Sequence, residues 1–259
     1  MKDVLRSAAM TFTMFSALPM VRVEWKKENM RYMLACLPLV GLVIALALWA
    51  WQALCAALSF STLFYAAGLT LLPVLLSGGI HMDGFCDTVD ALSSHAEPAR
   101  KREILKDSHA GAFAIIFTVV YFVALVALCA ETNCTRSAVW MLGLHQMMAR
   151  AVGAAASVCF PGSTQTGLLA SFRDAAARRS AIVLFVWMAA CAAAMIALSP
   201  VGGCAATAAA GLCMWYVYRM SRREFGGMSG DLAGFLITSA GAAMLLAQVA
   251  AERMAALWF

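Results

Sequence analysis

The sequence predicts an all-α polytopic membrane bundle, and three observations carry that prediction. The chain of 259 residues is 63% hydrophobic and only 13% charged, against roughly 25% charged in a soluble domain. Several stretches approach the roughly 20 apolar residues that cross a bilayer. Their helices also lack the polar faces that a soluble all-α protein requires.

The elements follow in order. The opening "MKDVLRSAAMTFTMFSALPM", with residues 4–17 as its helical part, has a short apolar stretch beside Lys2 and Arg6. It resembles a signal peptide, but no small-residue cleavage site follows before Pro19. It reads as a short helix lying in or on the membrane interface. Seven spans are expected, at about 33–57, 62–79, 111–130, 137–158, 180–199, 203–218 and 232–251. Short links without charge near residues 58–61 and 200–202 join two pairs of spans as helical hairpins. With no linker, low-complexity tract or internal repeat, residues 1–259 read as one membrane domain.

Basic residues orient the bundle. With the N-terminus inside, 16 of the 19 Lys and Arg fall in cytoplasmic segments; only Arg136 and Arg253 fall outside, and Arg150 lies within a span. The C-terminus is then outside. This bias accounts for the net charge of +5 without a nucleic-acid partner. The nine cysteines are scattered and form no C-x-x-C pair, as small apolar packing residues do.

The polar residues gather at one leaflet. "GGIHMDGFCDTVDAL" places His81, Asp83, Asp87 and Asp90 directly after Gly78-Gly79 and a run without charge. If a helix starts near Asp83, the three aspartates stand at i, i+4 and i+7, on one face within about 60°. Phe85, Val89 and Leu92 point the other way, so this cytoplasmic helix is amphipathic. Three carboxylates on one stripe repel each other, and Asp is a poor helix former beyond the first turn. A cation offsets that cost, and hard oxygen donors without thiolates suit Mg²⁺ or Mn²⁺. The plainer alternative is a solvated helix start whose acids complement the dipole.

Opposite charge stands nearby. "ARKREILKDSHAG" brings Arg102, Lys106, Asp107, Ser108 and His109 to the mouth of the third span. Arg150 inside a span is costly and is by default a candidate for function; otherwise it snorkels to the interface. "FGGMSGDLAGF" sets Gly230 and Asp231 at a glycine-rich helix start that offers N–H groups to an anion, with Ser229 or Asp231 able to cap it. Carboxylates for a metal and basic groups with glycine turns for phosphates together suit phosphoryl or substituted-phosphoryl transfer on a diphosphate.

At these residues the sequence resembles a known family. "SGGIHMDGFCDTVDAL", "REILKDSHAGAF", the early "FTMFSALP" and "PLVG", and the late "GGMSGDLAG" stand in the order found in the cobalamin synthases, the adenosylcobinamide-GDP ribazoletransferases. The resemblance spans nearly the whole chain. His109 stands where that pattern has Arg, and Ala91 and Ala114 where it has Gly.

The resemblance implies a Mg²⁺-dependent enzyme of the prokaryotic cytoplasmic membrane. Such an enzyme joins adenosylcobinamide-GDP to α-ribazole or its 5′-phosphate and releases GMP. It also implies catalytic and metal roles for Asp83, Asp87 and Asp90, with Asp231 in the metal shell. A base is needed for the hydroxyl nucleophile, either an Asp of the stripe or His81. Gly78, Gly79, Arg102, Lys106, Asp107, Ser108, Arg150 and Gly230 are the expected phosphate or substrate contacts. A homo-oligomer, or association with other enzymes assembling the cobalamin loop, is the expected company besides the lipid bilayer.

Two rivals remain at this point. A CDP-alcohol phosphatidyltransferase also uses an aspartate-rich helix, but it expects Ala-Arg after D-G, where this chain has "DGFCDTVD". A transporter expects polar residues near mid-membrane and an internal repeat.

Overall fold

The computed structural model describes residues 2–21, 23–107, 109–132, 135–163, 168–176 and 178–257, and every regular element among them is helical. In chain order the α-helices are α1 (Lys2–Phe15), α2 (Lys27–Met30), α3 (Leu37–Ala57), α4 (Thr62–Leu76), α5 (Ile80–Ser93), α6 (Pro98–Ile104), α7 (Ala112–Ala130), α8 (Arg136–Cys159), α9 (Leu168–Ala175), α10 (Arg178–Leu198), α11 (Pro200–Glu224) and α12 (Gly230–Ala255). A 3₁₀ turn, Leu34–Cys36, leads into α3.

Local chemistry sets several boundaries. The hydroxyls of Ser61, Thr135, Ser199 and Ser229 each accept a bond from a first-turn N–H, of Phe64, Ala138, Gly202 and Leu232 respectively, which satisfies donors the helix leaves open. Pro200 occupies the first turn of α11, where its missing N–H costs nothing.

All seven predicted stretches are helical, and length and composition by themselves support five or six of them as crossings. Five helices are long and apolar enough to cross a membrane, and α4 with α5 makes a sixth if the pair, bent by 94°, is one broken span. At 15 residues, α4 extends only about 22 Å at 1.5 Å per residue. The 24-residue α8 is long enough, yet His145, Gln146 and Arg150 make it too polar. It tolerates them because α3, α10 and α12 pack around it: Val139, Met148, Val152 and Ala155 are at most 2% exposed. The lipid-facing character lies instead on α7 and α10, where Ile115, Val119, Val123, Ile182 and Val186 are exposed.

The helix ends sort into two groups. At one end, Lys101 of α6 meets Glu224 at the end of α11, Asp90 of α5 meets the start of α7, and Ser163 after α8 bonds Met228 before α12. At the other end, Ser199 before α11 bonds Glu252 near the end of α12, and Glu131 after α7 pairs with Arg253. The polar motifs therefore share the first end. Because α5 turns 94° from α4, it runs along that face when α4 stands across the bilayer. Helix α1 docks there too: Ser7 donates to the Asn29 carbonyl, Thr11 to that of Met33, and the Ala17 N–H bonds the Leu76 carbonyl at the end of α4.

Candidate active site

The turn between α4 and α5 depends on its two glycines. Gly78 and Gly79 have φ of 65° and 78°, the left-handed region in which a side chain is strained. They allow the sharp bend, and the Asp83 N–H then bonds back to the Gly79 carbonyl.

Helix α5 next packs against the start of α12 at backbone distance. A Cβ on Gly84 would come 2.6 Å from the Asp231 carbonyl oxygen, and one on Gly234 would come 2.9 Å from the His81 carbonyl oxygen. Thr238 donates to that same His81 oxygen at 3.1 Å. Two glycines on facing helices thus bring carboxylates 148 positions apart in sequence, Asp83 and Asp231, to one place.

The stripe is arranged as the spacing predicts, with a difference of role. Asp83 is exposed and Asp87 and Asp90 are half-buried, while Phe85 and Val89 are buried on the opposite face. Burial first, then the charges of Asp83, Asp231 and Asp90, push the Asp87 carboxyl up to about 6. Asp90 has a further partner, its Oδ1 accepting the Ala114 N–H in the first turn of α7 at 3.3 Å. Gly111 permits this approach, since a Cβ there would collide with the Asp90 carboxylate. Ser229, rather than Asp231, caps α12, its hydroxyl taking the Leu232 N–H at 3.2 Å and lying 3.5 Å from Asp231 Oδ2. The Asp231 carboxylate is thereby left for other work.

Among the described residues no three His, Cys, Asp or Glu side chains stand close enough together to hold a metal ion by themselves. The donor set at the α5–α12 crossing is nonetheless all carboxylate and open on the Asp83 side. Such a site fits a hard divalent cation that keeps several waters and takes its remaining ligands from substrate phosphates.

The other expected contacts divide. Arg102 of α6 reaches the glycine turn before α12, its Nη1 being 3.5 Å from where a Gly226 Cβ would stand. Lys106 is exposed in the link after α6, and among the described residues no ion pair joins it to Asp231. Asp107 instead turns to His109, accepting its N–H at 3.0 Å and meeting its Nδ1 at 2.7 Å, which holds the Asp107 carboxyl below its usual range. Ser108 lies outside the described residues. Gly230 opens α12 in free space, with no described atom within 4 Å of where its Cβ would stand.

Arg150 does not snorkel. It is 2% exposed, and its Nη1 donates to the Gln146 carbonyl and Oε1 at 3.0 and 2.9 Å. It lines a cavity of about 70 Å³ together with His81, Tyr121 and His145. Among the described residues, the ring nitrogens of both histidines and Arg150 Nε have no hydrogen-bond partner.

Sequence reasoning missed three features. Lys101 is 8% exposed in its side chain and donates to Glu224 at 2.6 Å across 123 positions, whereas the sequence showed only a run of basic residues. Beside that pair, Arg219, Arg222, Arg223 and Tyr218 line an open basic recess of about 740 Å³ between α6 and α11. His145 was also overlooked; a polar residue on an otherwise apolar helix was the available signal.

With this geometry in view, comparison with known proteins decides the family. The family model for cobalamin-5-phosphate synthase matches residues 7–249. This chain belongs to the cobalamin-5-phosphate synthase family. It is 34% identical over 249 residues to an adenosylcobinamide-GDP ribazoletransferase of Lachnoclostridium phytofermentans, covering 96% of this chain and 95% of the relative. Proteins of the same name from Geobacillus kaustophilus (29% identical, 92% of each chain) and Clostridium botulinum strain Alaska E43 (25%, 91% and 93%) are also similar. No solved structure matches it. The carboxylates of the α5–α12 crossing fall inside the region that the family model matches.

Proposed function

We propose that this chain joins adenosylcobinamide-GDP to α-ribazole, or to its 5′-phosphate, with release of GMP. The observation that carries the reading is that Asp83, Asp87 and Asp231 lie near enough across the Gly84–Gly234 crossing for their charges to act on one another, in a chain of this family. In the reaction a hydroxyl oxygen of the ribazole attacks the phosphorus borne by cobinamide. A new P–O bond forms, the bond to GMP breaks, and the hydroxyl proton passes to a carboxylate.

The residues divide that task. Asp83, Asp87 and Asp231 would hold Mg²⁺, which when bound neutralises the diphosphate and makes GMP a better leaving group. Burial and its acidic neighbours raise the Asp87 carboxyl to about 6, a repulsion that a bound cation would relieve, and a carboxylate of the set that the ion leaves free would take the proton. Asp90 holds α5 to α7 and adds charge. Arg102 with Gly226 and Gly227, and the basic recess beside α6, supply positive potential for the nucleotide end. We place the site at the cytoplasmic face of a prokaryotic inner membrane, since the basic residues gather at that end.

The test is reconstituted transfer. Purified protein in nanodiscs, given adenosylcobinamide-GDP, α-ribazole and Mg²⁺, should release GMP in step with product, and a chelator should stop it. Hydrolysis to GMP without coupling to ribazole, or turnover untouched by the chelator, would defeat the reading.

A further inference from the structure

Next to the carboxylates lies a second cavity, of about 200 Å³, lined by α1, the start of α3, α5, α8, α9 and α12. Its walls are largely apolar, formed by Phe15, Leu37, Phe172 and Ile237 among others, and its polar edge is made by His81, Asp83 and Asp231. A cavity of about 150 Å³ lined by Leu, Ile and Phe admits benzene, so this one has room for a fused two-ring system.

One side chain on its wall, which stands between this cavity and the smaller one lined by Arg150, lacks a partner. His81 is 7% exposed, both of its ring nitrogens are without a hydrogen bond among the described residues, and its ring stacks on Phe15 at 6.0 Å and 13°. A buried imidazole left unpaired is costly, and a neutral one has an N–H to donate. The cavity therefore calls for a flat apolar ring carrying one acceptor nitrogen, attached to something whose hydroxyl reaches the carboxylates.

We propose that this cavity binds the aromatic base of the acceptor nucleoside, with the His81 N–H donating to the unglycosylated ring nitrogen. The inference rests on the transfer reading above and names the subsite that selects the acceptor. The benzimidazole of ribazole meets each requirement: two fused rings, one free ring nitrogen, and a ribose that extends toward Asp83 and Asp231. Guanine fits poorly, because its amide edge would lose several hydrogen bonds against Leu37, Phe172 and Ile237. The corrin is far too large. His81 is here a positioning residue, and the proton goes to a carboxylate.

Steady-state kinetics of the full-length protein in nanodiscs test this, with each substrate varied in turn. Leu37→Trp fills the cavity and Phe172→Ala opens its wall; thermal melting confirms that each variant is folded. Both should raise KM for α-ribazole by at least about tenfold, the equivalent of 1.4 kcal/mol, while KM for adenosylcobinamide-GDP stays within about twofold. Benzimidazole riboside should also compete with α-ribazole about tenfold better than indole riboside, which lacks the acceptor nitrogen, and His81→Phe should erase that preference. Wild-type activity with unchanged acceptor KM in both cavity variants would overturn the inference and leave the transfer reading standing. So would a phospholipid co-purifying in the cavity that benzimidazole riboside cannot displace. Absence of GMP release from the wild type would instead refute the transfer reading itself.

Discussion

Gly84 rests directly on the main chain of Asp231: a Cβ at residue 84 would sit 2.6 Å from the Asp231 carbonyl oxygen and 2.9 Å from its Cα. This contact sets the distance between the acids of α5 and that of α12. Gly84→Ala must push the helices apart, because backbone on one side cannot yield as a flexible side chain would. A misplacement of about 1 Å can cost on the order of a hundredfold in rate. We expect that loss in kcat for Gly84→Ala, with melting temperature lowered modestly. Normal turnover would show that the crossing does not position the site.

Ser229 and Asp231 separate capping from chemistry. Ser229→Ala should cost about 1 kcal/mol of stability and leave most of the activity. Asp231→Asn keeps size and helix geometry, yet should lower turnover on the order of a thousandfold if the carboxylate serves the transition state. Asp231→Ser should behave like Asp231→Asn. Parallel losses in Ser229→Ala and Asp231→Asn would make the whole turn structural.

Asp90 should differ from its neighbours on the stripe. Its Oδ1 already accepts the Ala114 N–H, a bond an asparagine oxygen can also accept. Asp90→Asn is therefore expected to lose about tenfold or less in rate, and Asp90→Ala about 1 kcal/mol more stability than that variant. Asp83→Asn and Asp87→Asn should each lose on the order of a thousandfold. Equal collapse in all three would assign Asp90 to the cation as well.

The Lys101–Glu224 pair locks α6 to the end of α11. Lys101→Met should destabilise the protein, since it leaves the partly buried Glu224 with only the exposed Arg223, 3.5 Å away, as a cation. A double-mutant cycle with Glu224→Gln should give a coupling of about 1–3 kcal/mol, read by thermal melting. A coupling near zero would reduce the pair to an incidental surface contact.

Much of this was legible in the sequence for physical reasons. The i, i+4, i+7 spacing of Asp83, Asp87 and Asp90 fixes one helical face whatever the tertiary context, and Gly78-Gly79 marks a left-handed turn. Apolar length revealed the helices, although α4 and α8 do not qualify as spans by length and composition alone. The first is too short alone, and the second is shielded from lipid by its neighbours. What pairwise contact decides was hidden: the Gly84–Asp231 approach, the Lys101–Glu224 bond and the cavity beside His81 join segments far apart in the chain. Nothing in "ARKREILKD" says that Lys101 is buried while Lys106, five residues on, is exposed.

The most direct test of the central claim, that carboxylates from α5 and α12 make one cation-dependent transfer site, is Mn²⁺ binding followed by electron paramagnetic resonance. Titrations are run on the nanodisc-embedded protein with adenosylcobinamide-GDP present. The wild type should bind one Mn²⁺ per chain and release GMP with it on adding ribazole, while Asp87→Asn and Asp231→Asn should each lose both the bound ion and the turnover. Undiminished Mn²⁺ binding and GMP release in Asp231→Asn would contradict the claim.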